Sequence, residues 1–283
     1  MKLIFSPECL TYGRTGHPES PDRVAAIHAA LQKERYAFTD PSPCTDEDVL
    51  LVHTPGHLER IKTGRFFDWD TPVIPLIYEH ALLSAGAAVQ AMTSALEGET
   101  AFSLMRPPGH HATRDRVMGF CYLNNMAIAV SRYSAENTHA RTAILDIDCH
   151  HGNGTEEIFT GHRSVLYVSL HQTHLFPGTG LSSHGNIVNF PLPPMTGDRD
   201  YLLTLEKACQ HIRHFHPALL GVSAGFDTLR SDPLTLFNLS AELYSIIGEK
   251  IRELNVPTFC LLEGGYAPDL PRCVLNFIRA LDK

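Results

Sequence analysis

The stretch from 142 to 155, Thr-Ala-Ile-Leu-Asp-Ile-Asp-Cys-His-His-Gly-Asn-Gly-Thr, constrains this chain more than any other. Ala143, Ile144, Leu145 and Ile147 form the continuous apolar run of a strand covered on both faces. Asp146, Asp148 and His150 follow at alternating positions. If the extended geometry continues, alternate side chains share one side. Carboxylate and imidazole at the C-terminal end of a buried strand can then hold one divalent metal. Gly152 and Gly154 suit a sharp loop there. In open α/β sheets the binding crevice lies outside the carboxyl ends of the strands. An ordinary alternative stands beside this reading: a strand-end Asp often caps a helix, and a lone His is often a hydrogen-bonded core residue.

The rest of the chain repeats the pattern of an apolar run followed by a polar cluster. Strands are expected at Lys2 to Phe5, Ala101 to Met105, Val165 to Leu170, Ile187 to Phe190, Ala218 to Ala224 and Thr258 to Leu262. Helix starts are signalled by Ser20-Pro21, by Thr45 with Asp48 as a capping box, and by Thr54-Pro55. Long helical patterns run from Leu76 to Leu96, from about Met126, from Asp198 to about His214, from Ser240 to Leu254 and at the C-terminus. Gly64 to Pro75 is irregular and holds the single Trp, Trp69. Alternating strands and helices predict a three-layer α/β/α fold with a mostly parallel sheet. No repeat or linker interrupts it, so residues 1–283 are expected to form one domain.

His110-His111, Asp148 with His150, Asp227 and Tyr266 all fall just after strands, which points to one shared site. Asp148, His150 and Asp227 offer three ligands and leave one position open, as in catalytic zinc sites. An O/N/O set equally suits manganese or iron. His110 and His111 can carry proton chemistry near neutral pH, and the buried Asp146 can fix an imidazole tautomer. Tyr266 follows two glycines that let the backbone approach a ligand, and its hydroxyl could donate to an oxyanion. Phe120 and Phe176, each beside a glycine, could wall a narrow channel for an alkyl chain. Arg23 in the first turn of its helix is a solvated or paired side chain, or one turned inward at a site.

Several classes are excluded or disfavoured. The formal net charge is -8 and no Lys/Arg block occurs, so direct nucleic-acid binding has no electrostatic support. No run of about 18 apolar residues is present, so no membrane span is expected. Seven cysteines without a Cys-x-x-Cys read as reduced thiols of a cytoplasmic protein. There is no phosphate-binding loop, His-Glu-x-x-His or Gly-x-Ser-x-Gly motif.

Taken together, these residues resemble the zinc-dependent histone deacetylase and acetylpolyamine amidohydrolase family, class II-like, with its arginase-deacetylase fold. The matching stretches are His17-Pro-Glu-Ser-Pro-Asp-Arg23, Arg106-Pro-Pro-Gly-His-His111, Gly119-Phe-Cys-Tyr-Leu-Asn-Asn125, Asp146-Ile-Asp-Cys-His-His-Gly-Asn-Gly154, Phe176-Pro-Gly-Thr-Gly180, Ala224-Gly-Phe-Asp227 and Glu263-Gly-Gly-Tyr266. The resemblance implies one zinc ion on Asp148, His150 and Asp227. It implies His111 as general base and then acid, His110 paired with Asp146, and Tyr266 on the oxyanion. Gly119, Phe120, Phe176 and Leu234 would line the substrate channel. Arg23 would lie near an internal cavity for product release. A structural potassium ion would sit near Asp146, Asp148, His150, Ser169 and Leu170.

Departures from the family pattern narrow the reading. Asn153 stands where class I members have Asp, so His111 is expected to be less basic. Leu234 is apolar at a rim position that is acidic in one polyamine-selective branch, which favours acyl-lysine in proteins or peptides. The chain is short for the family, so trimmed rim loops are expected. Gly225-Phe-Asp227-Thr lacks the second Asp of a two-manganese motif, so one metal is expected. The reading is a hydrolase of acyl-lysine, with an acetylpolyamine deacetylase or an inactive acetyl-lysine-binding module as alternatives. Acyl length and oligomeric state are open.

Overall fold

A computed structural model describes all 283 residues. Eight strands form one sheet in the order β2-β1-β3-β8-β7-β4-β5-β6, and every ladder is parallel. They are β1 (Lys2–Ile4), β2 (Phe38–Thr39), β3 (Ala101–Ser103), β4 (Thr142–Asp146), β5 (Val165–Gln172), β6 (Ile187–Leu192), β7 (Leu219–Ala224) and β8 (Thr258–Leu262). The central strands β3, β4, β7 and β8 are buried along their whole length. That burial is why they read as unbroken apolar runs instead of alternating ones.

Parallel neighbours require crossover connections, and helices supply them. The helices are α1 (Pro21–Lys33), α2 (Asp46–Leu50), α3 (Pro55–Thr63), α4 (Ile77–Leu96), α5 (Asn125–Glu136), α6 (Asn153–Phe159), α7 (Asp198–Phe215), α8 (Leu243–Arg252) and α9 (Leu270–Leu281). Helices α1, α9, α8 and α7 pack in succession as one layer, and α2 to α6 pack together as the other. One continuous cluster of 77 buried apolar residues fills the space between helices and sheet. The expected capping box forms: Thr45 Oγ1 accepts from the Asp48 N–H at 3.2 Å, and the Asp48 carboxylate accepts from the Thr45 N–H at 3.0 Å. No helix is long and apolar enough to cross a membrane.

From β4 the chain moves outward through β5 and β6, then returns to place β7 and β8 on the other side of β4. The carboxyl ends of β4 and β7 therefore flank a topological switch point, where a crevice opens. Two local expectations change. Strand β4 stops at Asp146, so the extended run does not reach His150. The segment after Gly152 is not a loop but α6. Gly152 and Gly154 serve close approach: a Cβ at Gly152 would collide with the Asp146 carboxylate, and one at Gly154 with the Ala112 carbonyl.

Candidate active site

Beyond β4 the backbone curls, and each carboxylate turns back on the amide two residues ahead. Asp146 Oδ1 accepts from the Asp148 N–H at 3.2 Å, and Asp148 Oδ1 from the His150 N–H at 2.9 Å. Such Asx turns, not strand alternation, gather this cluster. Asp227, three residues beyond β7, closes it. Its Oδ1 accepts from the Cys149 N–H at 2.8 Å, and its Oδ2 lies 2.8 Å from His150 Nδ1. His150 Nδ1 is also 3.1 Å from Asp148 Oδ1. One ligand atom each from Asp148, His150 and Asp227 lies within 4.8 Å of the others.

Electrostatics makes this a place for a cation. Asp148 and Asp227 are fully buried. Burial and the Asp148 charge both push the Asp227 carboxyl up. Burial alone would lower the His150 imidazole, but its contacts with Asp148 and Asp227 raise it instead to about 10. Two buried carboxylates beside one imidazole thus favour a positive charge among them. The set of two hard oxygens and one imidazole nitrogen fits a divalent metal.

The His110-His111 loop follows β3 and is pinned from below. The Glu263 carboxylate, at the end of β8, accepts from the N–H groups of Gly109 at 2.8 Å and His110 at 3.3 Å, and from the Ser223 hydroxyl at 3.0 Å. His110 Nδ1 lies 3.1 Å from Asp146 Oδ2, which also accepts from the Tyr167 hydroxyl at 3.0 Å. Burial opposes charge on His110, but Asp146, Asp148 and Glu263 raise it to about 10. His111 is the opposite case. Burial, then the neighbouring His110 and His150, hold it well below the ordinary imidazole value. Its Nδ1 is 2.8 Å from Asn153 Oδ1. A carbonyl oxygen can only accept, so Nδ1 carries the proton and Nε2 keeps a lone pair. The adjacent histidines thus differ: one favours its charged form, the other is neutral.

Tyr266 is reached through Gly264 and Gly265. A Cβ at Gly264 would come within 2.6 Å of Asp148 Oδ2, and Gly265 has φ +125°, so a side chain fits neither. Arg23 holds this turn. Its Nε donates to the Gly265 carbonyl at 2.6 Å, Nη2 to the Glu263 carbonyl at 2.7 Å and Nη1 to Glu19 at 3.3 Å. Its guanidinium lies 4.6 Å from the Tyr266 ring centre. Arg23 also borders a hollow of about 220 Å³ shared with Tyr266. Asp232 accepts from the Tyr266 N–H at 2.7 Å and the Leu234 N–H at 3.0 Å. The Tyr266 hydroxyl itself has no partner within the protein and borders the main cavity.

That cavity, of about 310 Å³, brings together His110, His111, Asp148, His150 and Tyr266 with Gly119, Phe120, Phe176 and Leu234. Phe176 stands against His111, ring centres 5.1 Å apart, and Phe120 against Tyr266 at 6.0 Å. Ser169 lies opposite Asp146 on the β4–β5 ladder, with Leu170 next along β5. Sequence reasoning assigned no role to Glu263, Asp232, Glu19 or Arg106. Glu263 had a signal, a carboxylate directly after an apolar strand. Asp232 had none.

The histone deacetylase domain model matches residues 17–281. A probable deacetylase of Methanothermobacter thermautotrophicus is 39% identical over 300 residues, covering 100% of this chain and 91% of that protein. The crystal structure of the HDA15 HD domain superimposes with a TM-score of 0.90 at 32% identity, over 99% of this chain and 90% of that one. Acetylpolyamine aminohydrolase from Burkholderia pseudomallei gives 0.93 at 28% identity, over 99% and 98%.

Proposed function

Because this chain belongs to the histone deacetylase family, we propose that it is a zinc-dependent amidohydrolase removing acetyl or other acyl groups from lysine in proteins or peptides. The observation that carries the proposal is convergence. Two members of a candidate three-ligand cluster, Asp148 and His150, line one pocket with a neutral imidazole and an unpartnered tyrosine hydroxyl, and Asp227 completes the cluster behind them.

Asp148, His150 and Asp227 would hold the zinc. When bound, zinc in such a site polarises the acyl carbonyl and makes nearby water more acidic. The free Nε2 of His111 takes the proton from the attacking water and returns it to the departing lysine amine, so the cycle ends with a carboxylate and a free amine. His110, held by Asp146, keeps positive charge beside the developing negative charge. The Tyr266 hydroxyl donates to the carbonyl oxygen as that charge grows. Gly119, Phe120 and Phe176 leave a slot for the methylenes of lysine, and Leu234 keeps its rim apolar. Asp146, Asp148 and His150, with Ser169 and Leu170, are proposed to hold a structural potassium ion. A reducing, cytoplasmic setting belongs to the same proposal, supported by seven cysteines that are all buried free thiols.

A second reading, acetylpolyamine deacetylation, is favoured by the likeness to the Burkholderia aminohydrolase. Purified protein assayed on acetyl-lysine peptides and on acetylated polyamines separates the two. Hydrolysis of the peptides, abolished by a chelator and restored by one equivalent of zinc per chain, is the expected result. Turnover of polyamines alone rejects the lysine reading. Full activity without metal rejects the zinc.

A further inference from the structure

Beside the channel mouth lies a second and larger hollow, of about 530 Å³. Ile61 and Val117 give it an apolar floor, and Trp69 forms part of its wall. Trp69 also lines the catalytic cavity, so one indole borders both. This side chain is 86% exposed, and Phe67, 78% exposed, meets it edge-on with ring centres 5.2 Å apart. Two large aromatic side chains left in water at the lip of a cavity mark an interaction surface. Aromatic and arginine side chains at such places supply most of the energy of recognition.

Charge says what this surface accepts. Arg60, Arg65 and Arg116 line the hollow, with Asp68 and Asp115. Asp68 Oδ1 accepts only from the Asp70 N–H, at 3.1 Å, and keeps its charge, while Asp115 Oδ1 lies 3.7 Å from Arg116 Nε. Arg60 donates to the Asp115 carbonyl. Arg65 is exposed and its guanidinium has no partner in the chain. With three guanidinium groups against two carboxylates, the lining keeps a small positive excess on a protein whose formal net charge is -8.

We propose that this groove binds the residues flanking the acyl-lysine of a peptide substrate and selects an acidic side chain among them. Arg65 takes the carboxylate, and Trp69 with Phe67 packs against the apolar parts of the peptide. The inference rests on the acyl-lysine reading above and deepens it. A polyamine brings free amines, which the positive excess of this lining disfavours. Because one indole borders both cavities, a peptide passes from channel to groove within a few residues.

The test is kcat/KM of the zinc-loaded full chain on acetyl-lysine peptides with acidic, neutral or basic flanks, and on blocked acetyl-lysine without flanks. An exposed ion pair is worth up to about fivefold, so acidic flanks should exceed neutral ones by about that factor at low salt. Arg65→Glu should reverse the order while leaving blocked acetyl-lysine within about twofold. Trp69 is the only tryptophan, so its fluorescence should shift when the Tyr266→Phe variant is titrated with the acidic peptide, and less with the basic one. Hydrolysis of blocked acetyl-lysine with no dependence on flanks overturns the groove and spares the lysine reading. A change in oligomeric state in Arg65→Glu, with the acidic preference intact, also overturns it and assigns the patch to a second copy. Cleavage of acetylpolyamines alone overturns both.

Discussion

Tyr266→Phe isolates one hydroxyl. The ring is positioned by contacts that survive the change: the Arg23 guanidinium 4.6 Å away and the Phe120 ring at 6.0 Å. The backbone is held at Tyr266 N by Asp232 and at the Gly265 carbonyl by Arg23. None of these involves the hydroxyl, which has no partner inside the protein. Its removal therefore breaks no internal hydrogen bond, and stability should change by no more than about 0.5 kcal/mol. The reaction should be affected very differently. One lost oxyanion donor costs on the order of 10²–10³ in kcat, about 2.7–4 kcal/mol. KM should move only a few-fold, because the contact strengthens mainly in the transition state. Steady-state kinetics on an acetyl-lysine peptide, urea unfolding and zinc content measure the three quantities separately. Asp232→Ala is the contrast: the hydroxyl remains while two backbone donors lose their acceptor, so kcat and stability should fall together. Wild-type kcat in Tyr266→Phe would refute the oxyanion role. A stability loss of several kcal/mol would refute the claim that the hydroxyl has no structural duty.

Two further outcomes follow from the geometry. Phe176→Ala should raise KM by about tenfold with a smaller effect on kcat, since a half-exposed ring contributes only part of the burial energy of Phe; a normal KM would remove this ring from substrate binding. Arg106→Leu should lower stability by about 3–5 kcal/mol at pH 7, because it leaves Glu19 buried without its main partner. Burial opposes the Glu19 carboxylate, but Arg106 and then Arg23 hold it below its ordinary 4.5. The contribution of the pair is therefore complete above about pH 4.5 and lost as pH falls further. Urea midpoints should show the gap between wild type and variant narrowing on acidification, and a constant gap from pH 7 to pH 3 would reject the pairing.

Local chemistry was the legible part of this chain. The central strands were readable because their apolar runs are too short for helices and end in polar or glycine residues. Ser20-Pro21 and Thr54-Pro55 do open α1 and α3. By contrast β2 is only two residues, Phe38 and Thr39, and exists because β1 offers it an edge. No periodicity is visible at that length. Helix α6 was hidden by its glycines: Gly152 and Gly154 look like loop residues until the Asp146 carboxylate and the Ala112 carbonyl are seen pressing against them. Asp148 and His150 were singled out as candidate ligands by type and place, but their gathering by successive Asx turns was not legible, because an Asp-x-Asp-x-His spacing is equally compatible with a continuing strand.

The supports of the site escaped a sequence reading for a different reason, namely distance along the chain. Glu19 takes the guanidinium of Arg106, 87 positions away, and Arg106 donates further to the carbonyls of Cys9 and Tyr12. Arg23 reaches 240 positions to the Glu263 carbonyl, and the Glu263 side chain reaches back 154 to the Gly109 N–H. Glu19, Arg23, Arg106 and Glu263 are all buried, and a buried charge without partners is strongly destabilising. A charged residue flush against a buried apolar run thus implies a partner, although not which one. Parallel topology narrows the choice, because it brings the ends of β1, β3, β7 and β8 to one side of the sheet. The carboxylates and guanidinium groups found there must satisfy one another or the turns between them. In this fold they do both. Glu19 and Arg106 neutralise each other, while Arg23 and Glu263 fix the two turns that carry Tyr266 and His111. The stability of the buried charges and the positioning of the groups proposed to react therefore rest on the same hydrogen bonds.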